Sequence, residues 1–156
     1  MNLVFEGHGL KKVFNRRPIF SDVELRVRAG EVLVVTGKNG SGKSTLVKIL
    51  ARVLTPTVGG LRLTSDGNSV KEDLWPYHVG LVSPYLQLFE EFSTRENLEL
   101  AFQLRGLVTD VGRIDALLGL IGLAKRANDP VRTFSSGMKQ RVKYAVALAH
   151  APALLL

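Results

Sequence analysis

The chain of 156 residues has no cysteine. Without thiols it has neither a disulfide framework nor a zinc or iron–sulfur site built on thiolates, and such a composition suits a reducing compartment. We therefore expect a cytoplasmic protein. Proline is also scarce, at 6 residues, whereas 46% of the residues are hydrophobic. This balance excludes an intrinsically disordered chain, and the length predicts a single globular domain.

Long hydrophobic runs are absent as well. The longest apolar stretch, residues 117–124, is far shorter than the ~18 residues that a membrane span needs, and the N-terminus has no signal-peptide hydrophobic region. Lys and Arg number 21 against 14 Asp and Glu, but they are scattered rather than gathered into a basic arm. We therefore expect no nucleic-acid partner and no segment that enters a bilayer by itself.

Hydrophobic patterning in the first half of the chain predicts an α/β fold. Residues 32–35 are apolar at consecutive positions, which is typical of a parallel strand covered on both faces. A glycine-rich segment follows, and then apolar residues at helical spacing predict a helix that ends near Leu54. A strand is expected over 61–64. Short strands over 3–5 and 23–27 predict an antiparallel β layer at the N-terminus.

The second half of the chain has helical patterning. Ser93 and Glu96 form a capping box, which predicts a helix that runs to about Arg105. Apolar residues spaced within 114–121 and within 142–149 predict two more helices. The last four residues are apolar and predict the opening of another buried strand.

A phosphate-binding motif, G-x-x-x-x-G-K-[ST], occupies residues 37–44 between the predicted strand and helix. Its glycines let backbone N–H groups approach phosphate oxygens closely, and the helix adds partial positive charge at its N-terminus. Lys43 is predicted to reach the β- and γ-phosphates as the main catalytic group, and the Ser44 hydroxyl to ligate Mg²⁺. We call residues 37–45 the P-loop. Its predicted nucleotide-binding residues are Gly37, Lys38, Asn39, Gly40, Ser41, Gly42, Lys43, Ser44 and Thr45.

A P-loop alone does not distinguish a nucleotide kinase, a GTPase and an ATP-driven motor, but the surrounding motifs do. The spacing from Lys12-Val13-Phe14 through Gly30-Glu31 to the P-loop resembles the nucleotide-binding domain of ATP-binding cassette (ABC) proteins, and the likeness extends along the whole chain. The resemblance implies that the P-loop binds ATP with Mg²⁺ and that Phe14 stacks on the adenine.

Residues 134–142, which we call the signature segment, resemble the ABC signature L-S-G-G-Q and the basic helix that follows it. Phe134 replaces Leu, Ser136 replaces the first Gly, and Met138 replaces Gln. The resemblance implies a trans contact with ATP held by the opposite protomer of a head-to-tail dimer. The residues predicted to make it are Ser135, Ser136, Gly137 and Met138. The other interpretation is that Ser135 is simply a helix cap.

A glutamine that contacts Mg²⁺ in the family has no direct match. The alignment places Pro84 at its position, and Gln87 lies three residues later. Either Gln87 substitutes as the metal contact through a remodelled loop, or the contact is lost.

The resemblance also implies the domain organisation of an α/β P-loop NTPase core that is incomplete at the C-terminus. Residues 1–30 are predicted to form the β layer, 31–85 the P-loop core, 86–150 an inserted helical subdomain, and 151–156 the start of the Walker B strand. The family's Mg-orienting Asp, catalytic Glu and switch His would lie beyond Leu156. We therefore expect an ABC-type ATPase in the parent protein, whereas the 156-residue chain is expected to bind ATP and to hydrolyse it poorly or not at all.

The function implied is that of the ATP-binding subunit of an ABC transporter. It would dock on a separate membrane subunit at the cytoplasmic face and pair with a second copy or a homologous domain. Three alternatives remain open: a non-transport ABC ATPase, a different P-loop enzyme such as a nucleotide kinase, and a module that only binds nucleotide.

Overall fold

The computed structural model describes residues 2–83 and 86–156. The chain divides into two compact units, Met1–Pro76 with Leu156, and Tyr77–Leu155. The finer division predicted from the resemblance, with boundaries at residues 30, 85 and 150, stays a prediction.

An antiparallel sheet of four strands lies in the first unit. Its strands are β1, Leu3–Phe14, β2, Arg17–Arg28, β3, Val58–Ser65, and β4, Asn68–Ser69, in the spatial order β2-β1-β3-β4. Every second residue of β1 from Leu3 to Gly7 is buried, so one face of the strand packs on the core. The three short strands predicted at 3–5, 23–27 and 61–64 are confirmed, and each belongs to a longer strand.

Helix α1, Lys43–Leu50, begins within the P-loop and buries Leu46, Ile49 and Leu50. It ends earlier than the expected Leu54. Arg52 takes a left-handed φ of 58°, which stops helical propagation, and its guanidinium lies 4.8 Å from the Trp75 ring. The helix therefore ends before Arg52, whose side chain contacts Trp75 in the tertiary structure.

The prediction of a buried strand over residues 32–35 is wrong. No strand within the described residues pairs with this run, and the side chains of Val32 and Val34 are 88% and 72% exposed. An apolar run becomes a buried strand only where neighbouring strands take up its backbone hydrogen bonds and other elements cover its faces. The local sequence shows that these side chains are apolar, but it does not show which strands or helices would cover them.

A short helix, α2, Trp75–His78, follows the 3₁₀ turn Glu72–Leu74, and strand β5, Val79–Gly80, comes next. The second unit continues with helices α3, Thr94–Gln103, α4, Val111–Leu120, and α5, Ser136–Leu148. Two 3₁₀ turns, Ala124–Arg126 and Val131–Thr133, join α4 to α5.

The predicted helical stripes form one hydrophobic core among α3, α4 and α5. The capping box is present, since Ser93 N donates to Glu96 Oε2 at 2.7 Å and Glu96 N donates to Ser93 Oγ at 3.2 Å. Gly106 ends the segment with a φ of 65°. The buried core residues of these helices and their connections are Leu98, Ala101, Phe102, Ile114, Leu117, Leu118, Ile121, Leu123, Ala127, Val131, Phe134, Val142, Ala145 and Ala149.

The final strand, β6, Leu154–Leu155, pairs in parallel with β5. The predicted strand is therefore confirmed, but its predicted burial is not, because Leu155 is 46% exposed. Within the described residues, β6 pairs along one edge only, with β5, and its other edge has no strand beside it. No helix within residues 2–83 and 86–156 is both long and apolar enough to cross a membrane.

Candidate nucleotide-binding site

The backbone of the P-loop takes conformations that suit glycine. Gly37 and Gly42 have φ angles of 147° and 92°. A Cβ at Gly37 would lie 2.8 Å from Ser41 Oγ, and one at Gly42 would lie 2.6 Å from Ile19 Cγ2. Both positive φ and close approach therefore exclude a side chain at these two positions.

The side chain of Lys43 turns back across the P-loop. Its Nζ donates to the carbonyl oxygen of Gly37 at 2.7 Å and to that of Lys38 at 2.8 Å. An ammonium has three donors, and these two carbonyls are its hydrogen-bond partners within the described residues. The loop therefore holds a cation in place with one N–H available to an anion.

The N-terminus of α1 has no side-chain cap. Its N-cap is Gly42, which has no side chain to accept a hydrogen bond from the first-turn N–H groups. Ser44 is exposed in this first turn. Uncapped amides, the positive end of the helix dipole and the ammonium of Lys43 together form an arrangement that can bind phosphate.

Phe14 is the last residue of β1, and its side chain is 42% exposed. The two residues after it, Asn15 and Arg16, have φ angles of 47° and 65° and form the tight turn into β2. The ring thus stands at the end of a hairpin, where a planar ligand can reach it. Its predicted stacking on adenine stays a prediction.

Lys12 is a neighbour of Phe14 that sequence reasoning quoted but gave no role. Its Nζ lies 4.8 Å from the centroid of the Phe14 ring. The spacing of Lys12 and Phe14 in the sequence could have indicated this contact, because residues i and i+2 of a strand lie on the same face.

In the signature segment, Ser135 caps helix α5. Its hydroxyl oxygen accepts a hydrogen bond from Met138 N at 3.3 Å, so the capping interpretation describes its local role. Ser135, Ser136 and Gly137 are exposed. Their predicted contact with ATP in trans stays a prediction.

Arg126 contacts two of the three residues at which the signature segment departs from L-S-G-G-Q. Its guanidinium lies 4.8 Å from the buried ring of Phe134, and Nη1 lies 3.6 Å from the sulfur of Met138. Nε of the same group donates to Asp129 at 2.7 Å. Sequence reasoning missed Arg126, because nothing in the local pattern links it to residues 8 and 12 positions away.

The remaining site candidate from the sequence is Gln87. Gln87 is exposed in the loop before α3, and Pro84 lies outside the described residues, so Gln87 as a Mg²⁺ contact stays a prediction. His8 is exposed beside Glu24, and His150 is half-buried, with Nε2 3.1 Å from the carbonyl oxygen of Val79. In the part of the chain that the structure describes, no group of three or more His, Asp or Glu could hold a metal ion.

Comparisons with known proteins agree with these motifs. The family profile described as ABC transporter matches residues 20–156. The Bacitracin transport ATP-binding protein BcrA of Enterococcus faecalis is 31% identical over 158 residues, which cover 100% of this chain and 50% of that protein. The Methionine import ATP-binding protein MetN of Corynebacterium diphtheriae is 38% identical over 162 residues, which cover 97% of this chain and 47% of that protein.

A solved structure, described as the ATP binding subunit of an ABC transporter, superimposes with a TM-score of 0.82 at 27% identity, over 97% of this chain and 64% of that one. The chain spans about half the length of the two relatives named above, at 50% and 47%. The α/β fold class and the family predicted from the motifs are confirmed, and the chain belongs to the ABC transporter family.

Proposed function

We propose that this chain is the ATP-binding part of an ABC transporter subunit, whose ATP binding and hydrolysis drive transport through a separate membrane subunit. The observation that carries the proposal is the position of the Lys43 ammonium, bonded to two carbonyls of the P-loop. A cation held there, beside an uncapped helix N-terminus, suits the β- and γ-phosphates of a nucleoside triphosphate.

The donor set of the P-loop fits MgATP. Backbone N–H groups and the ammonium are donors to phosphate oxygens, and the exposed hydroxyl of Ser44 is an oxygen ligand of the kind that Mg²⁺ prefers. Mg²⁺ in nucleotide sites keeps water and phosphate oxygens as its other ligands, so one protein oxygen is sufficient. Bound ATP supplies the phosphoanhydride bond whose cleavage releases the free energy for transport. The chain's own contribution is to bind the phosphates and to orient them.

Phe14 is the proposed platform for the adenine. Its ring is accessible at the end of a hairpin, and base stacking on an aromatic face tolerates different bases. We therefore expect the phosphate contacts to supply most of the affinity and the ring to add a smaller contribution that depends on the base.

The proposed dimer is head-to-tail, with Ser135, Ser136, Gly137 and Met138 of one copy facing the ATP of the other. The exposure of Ser135, Ser136 and Gly137 at the start of α5 supports this arrangement, because another chain can reach these residues. The partner is a second copy or a homologous ABC domain. The proposed location is the cytoplasmic face of the membrane, through the membrane subunit.

Replacing Lys43 tests the proposal. Lys43→Ala removes the ammonium held in the P-loop, and we expect MgATP binding to weaken by about 2 to 4 kcal/mol, as when one partner of a desolvated charge pair is truncated. Isothermal titration calorimetry with MgATP measures the change. Lys125→Ala, which removes the same charge from an exposed position, is the matched control. Equal affinity of the Lys43→Ala and Lys125→Ala variants would refute the proposal.

A further inference from the structure

Lys12 lies beside the aromatic ring that is expected to receive the nucleobase. We propose that Lys12 is a positioning residue for base recognition, which holds the Phe14 ring so that one face stays open to the base. This inference rests on the proposed ATP-binding function. In this proposal, Lys12 acts on the nucleotide only through Phe14 and does not contact it directly.

The ammonium of Lys12 is itself held in place. It lies 4.8 Å from the centroid of the Phe14 ring and also donates to the carbonyl oxygen of Thr55 at 2.7 Å. The two side chains stand on one face of β1, since they are two positions apart in a strand. The ammonium donates to a backbone carbonyl and also lies over the ring. It therefore restricts the rotation of the ring.

The segment that anchors Lys12 is joined to β1 by further bonds. Thr57 N donates to the carbonyl oxygen of Lys11 at 2.7 Å, and Val13 N donates to Thr57 Oγ1 at 3.0 Å. Residues 55–57 follow α1, the helix whose first turn belongs to the phosphate site. Lys12 therefore connects the base platform to the chain that leaves the phosphate-binding helix.

The exposure of Phe14 gives its ring room to turn. Phe14 ends its strand, is 42% exposed and precedes a two-residue turn, so its side chain can exchange among rotamers. A cation over an exposed ring favours one arrangement by about 2- to 5-fold. Because the ammonium covers one face, the favoured arrangement leaves the opposite face for the base.

The test separates base recognition from phosphate binding. Dissociation constants are measured for MgATP and for magnesium tripolyphosphate, which carries three phosphates and no base. We expect Lys12→Met to weaken MgATP binding by about 2- to 5-fold and to leave tripolyphosphate binding unchanged, since only the base stacks on the ring. Lys12→Arg, which can still place a cation over the ring, should retain most of the preference for MgATP.

Lys11→Met is the matched control for loss of one positive charge from the same strand, and it should change neither constant selectively. In a Phe14→Ala background, Lys12→Met should have no further effect on MgATP, because the ring through which it acts is gone. Circular dichroism and the fluorescence of Trp75, which packs against Phe5 of β1, report whether each variant keeps its fold.

Two results would overturn the inference. One is an equal loss of MgATP and tripolyphosphate affinity in Lys12→Met, which would indicate a role in phosphate binding or in the sheet. The other is an MgATP affinity of Lys12→Met equal to that of the wild type. Failure of the wild-type chain to bind either ligand would instead refute the proposed function, and the inference with it.

Discussion

His150 is a half-buried imidazole whose protonation is linked to stability. Burial, chiefly, and the nearby charge of Arg105 lower the pKa of His150, and the charge of Arg113 acts in the same direction. The bond to the carbonyl oxygen of Val79 opposes this shift but does not reverse it. The folded state therefore favours the neutral ring.

We expect the second unit to lose stability as the pH falls. The folded-state pKa of His150 lies below the unfolded value of about 6.5. Above that value the ring is mainly neutral in both states, so protonation of His150 does not reduce the free energy of unfolding. As the pH decreases through 6.5 toward the folded-state pKa, the unfolded chain binds the proton first and stability declines. Urea unfolding between pH 8 and pH 5 measures this slope. His150→Asn should flatten it, and an unaltered slope in that variant would assign the pH dependence to other groups.

At the scale of secondary structure, helices α4 and α5 cap each other through two arginines. Arg113 of α4 donates from Nε to the carbonyl oxygen of Ala149 at 2.6 Å and from Nη2 to that of Leu148 at 2.8 Å, at the C-terminal end of α5. Arg141 of α5 donates to the carbonyl oxygen of Ile121 at 2.9 Å, just after α4. A cation at these ends satisfies carbonyls without helical partners and complements the helix dipole.

Removing one of these caps should be more costly than removing a surface ion pair. Arg113→Met removes the donor to the carbonyl oxygen of Ala149 and one of the two donors to that of Leu148, which keeps Ala151 N at 3.0 Å. We expect a loss of about 1 to 3 kcal/mol in the free energy of unfolding. Arg132 is paired with exposed Glu91, so Arg132→Met is the matched control, with an expected loss below about 1 kcal/mol. Urea unfolding followed by circular dichroism measures both. Similar losses in the two variants would contradict the capping role.

At the scale of the whole molecule, residues 32–34 of the first unit form a run of exposed apolar side chains. Val32 is 88% and Val34 is 72% exposed. Large contiguous patches of exposed apolar surface are rare in monomeric soluble proteins, and they usually mark a contact or an association site. An α/β core that is covered on both faces would bury this run, whereas here the run is exposed.

The run should bind a hydrophobic dye. Replacing Val32 and Val34 with Thr removes apolar surface while keeping the branched shape, and we expect weaker fluorescence of anilinonaphthalene sulfonate on the 156-residue chain. Val108→Thr is the control, because Val108 is also highly exposed but lies outside this run. If both variants bind the dye as the wild type does, the run is not the exposed apolar surface of the chain in solution.

The sequence by itself determined the features that depend on local backbone chemistry. The absence of Cβ permits the positive φ of Gly37 and Gly42, and the start of α3 follows from the reciprocal bonds of Ser93 and Glu96. The helical core followed from apolar spacing, since one face of a helix must pack on another element. The family also followed from motifs whose spacing along the chain is enough to identify them.

Only the tertiary structure decided the features that need a distant partner. The apolar run at 32–35 predicts burial, but strand pairing and coverage depend on other segments, and here the run is exposed. Helix α1 ends where Arg52 turns toward Trp75, and Lys12 gains its role from Thr55, 43 positions further along the chain. A local pattern specifies what a side chain is, whereas its neighbours in space arise from the packing of the whole fold.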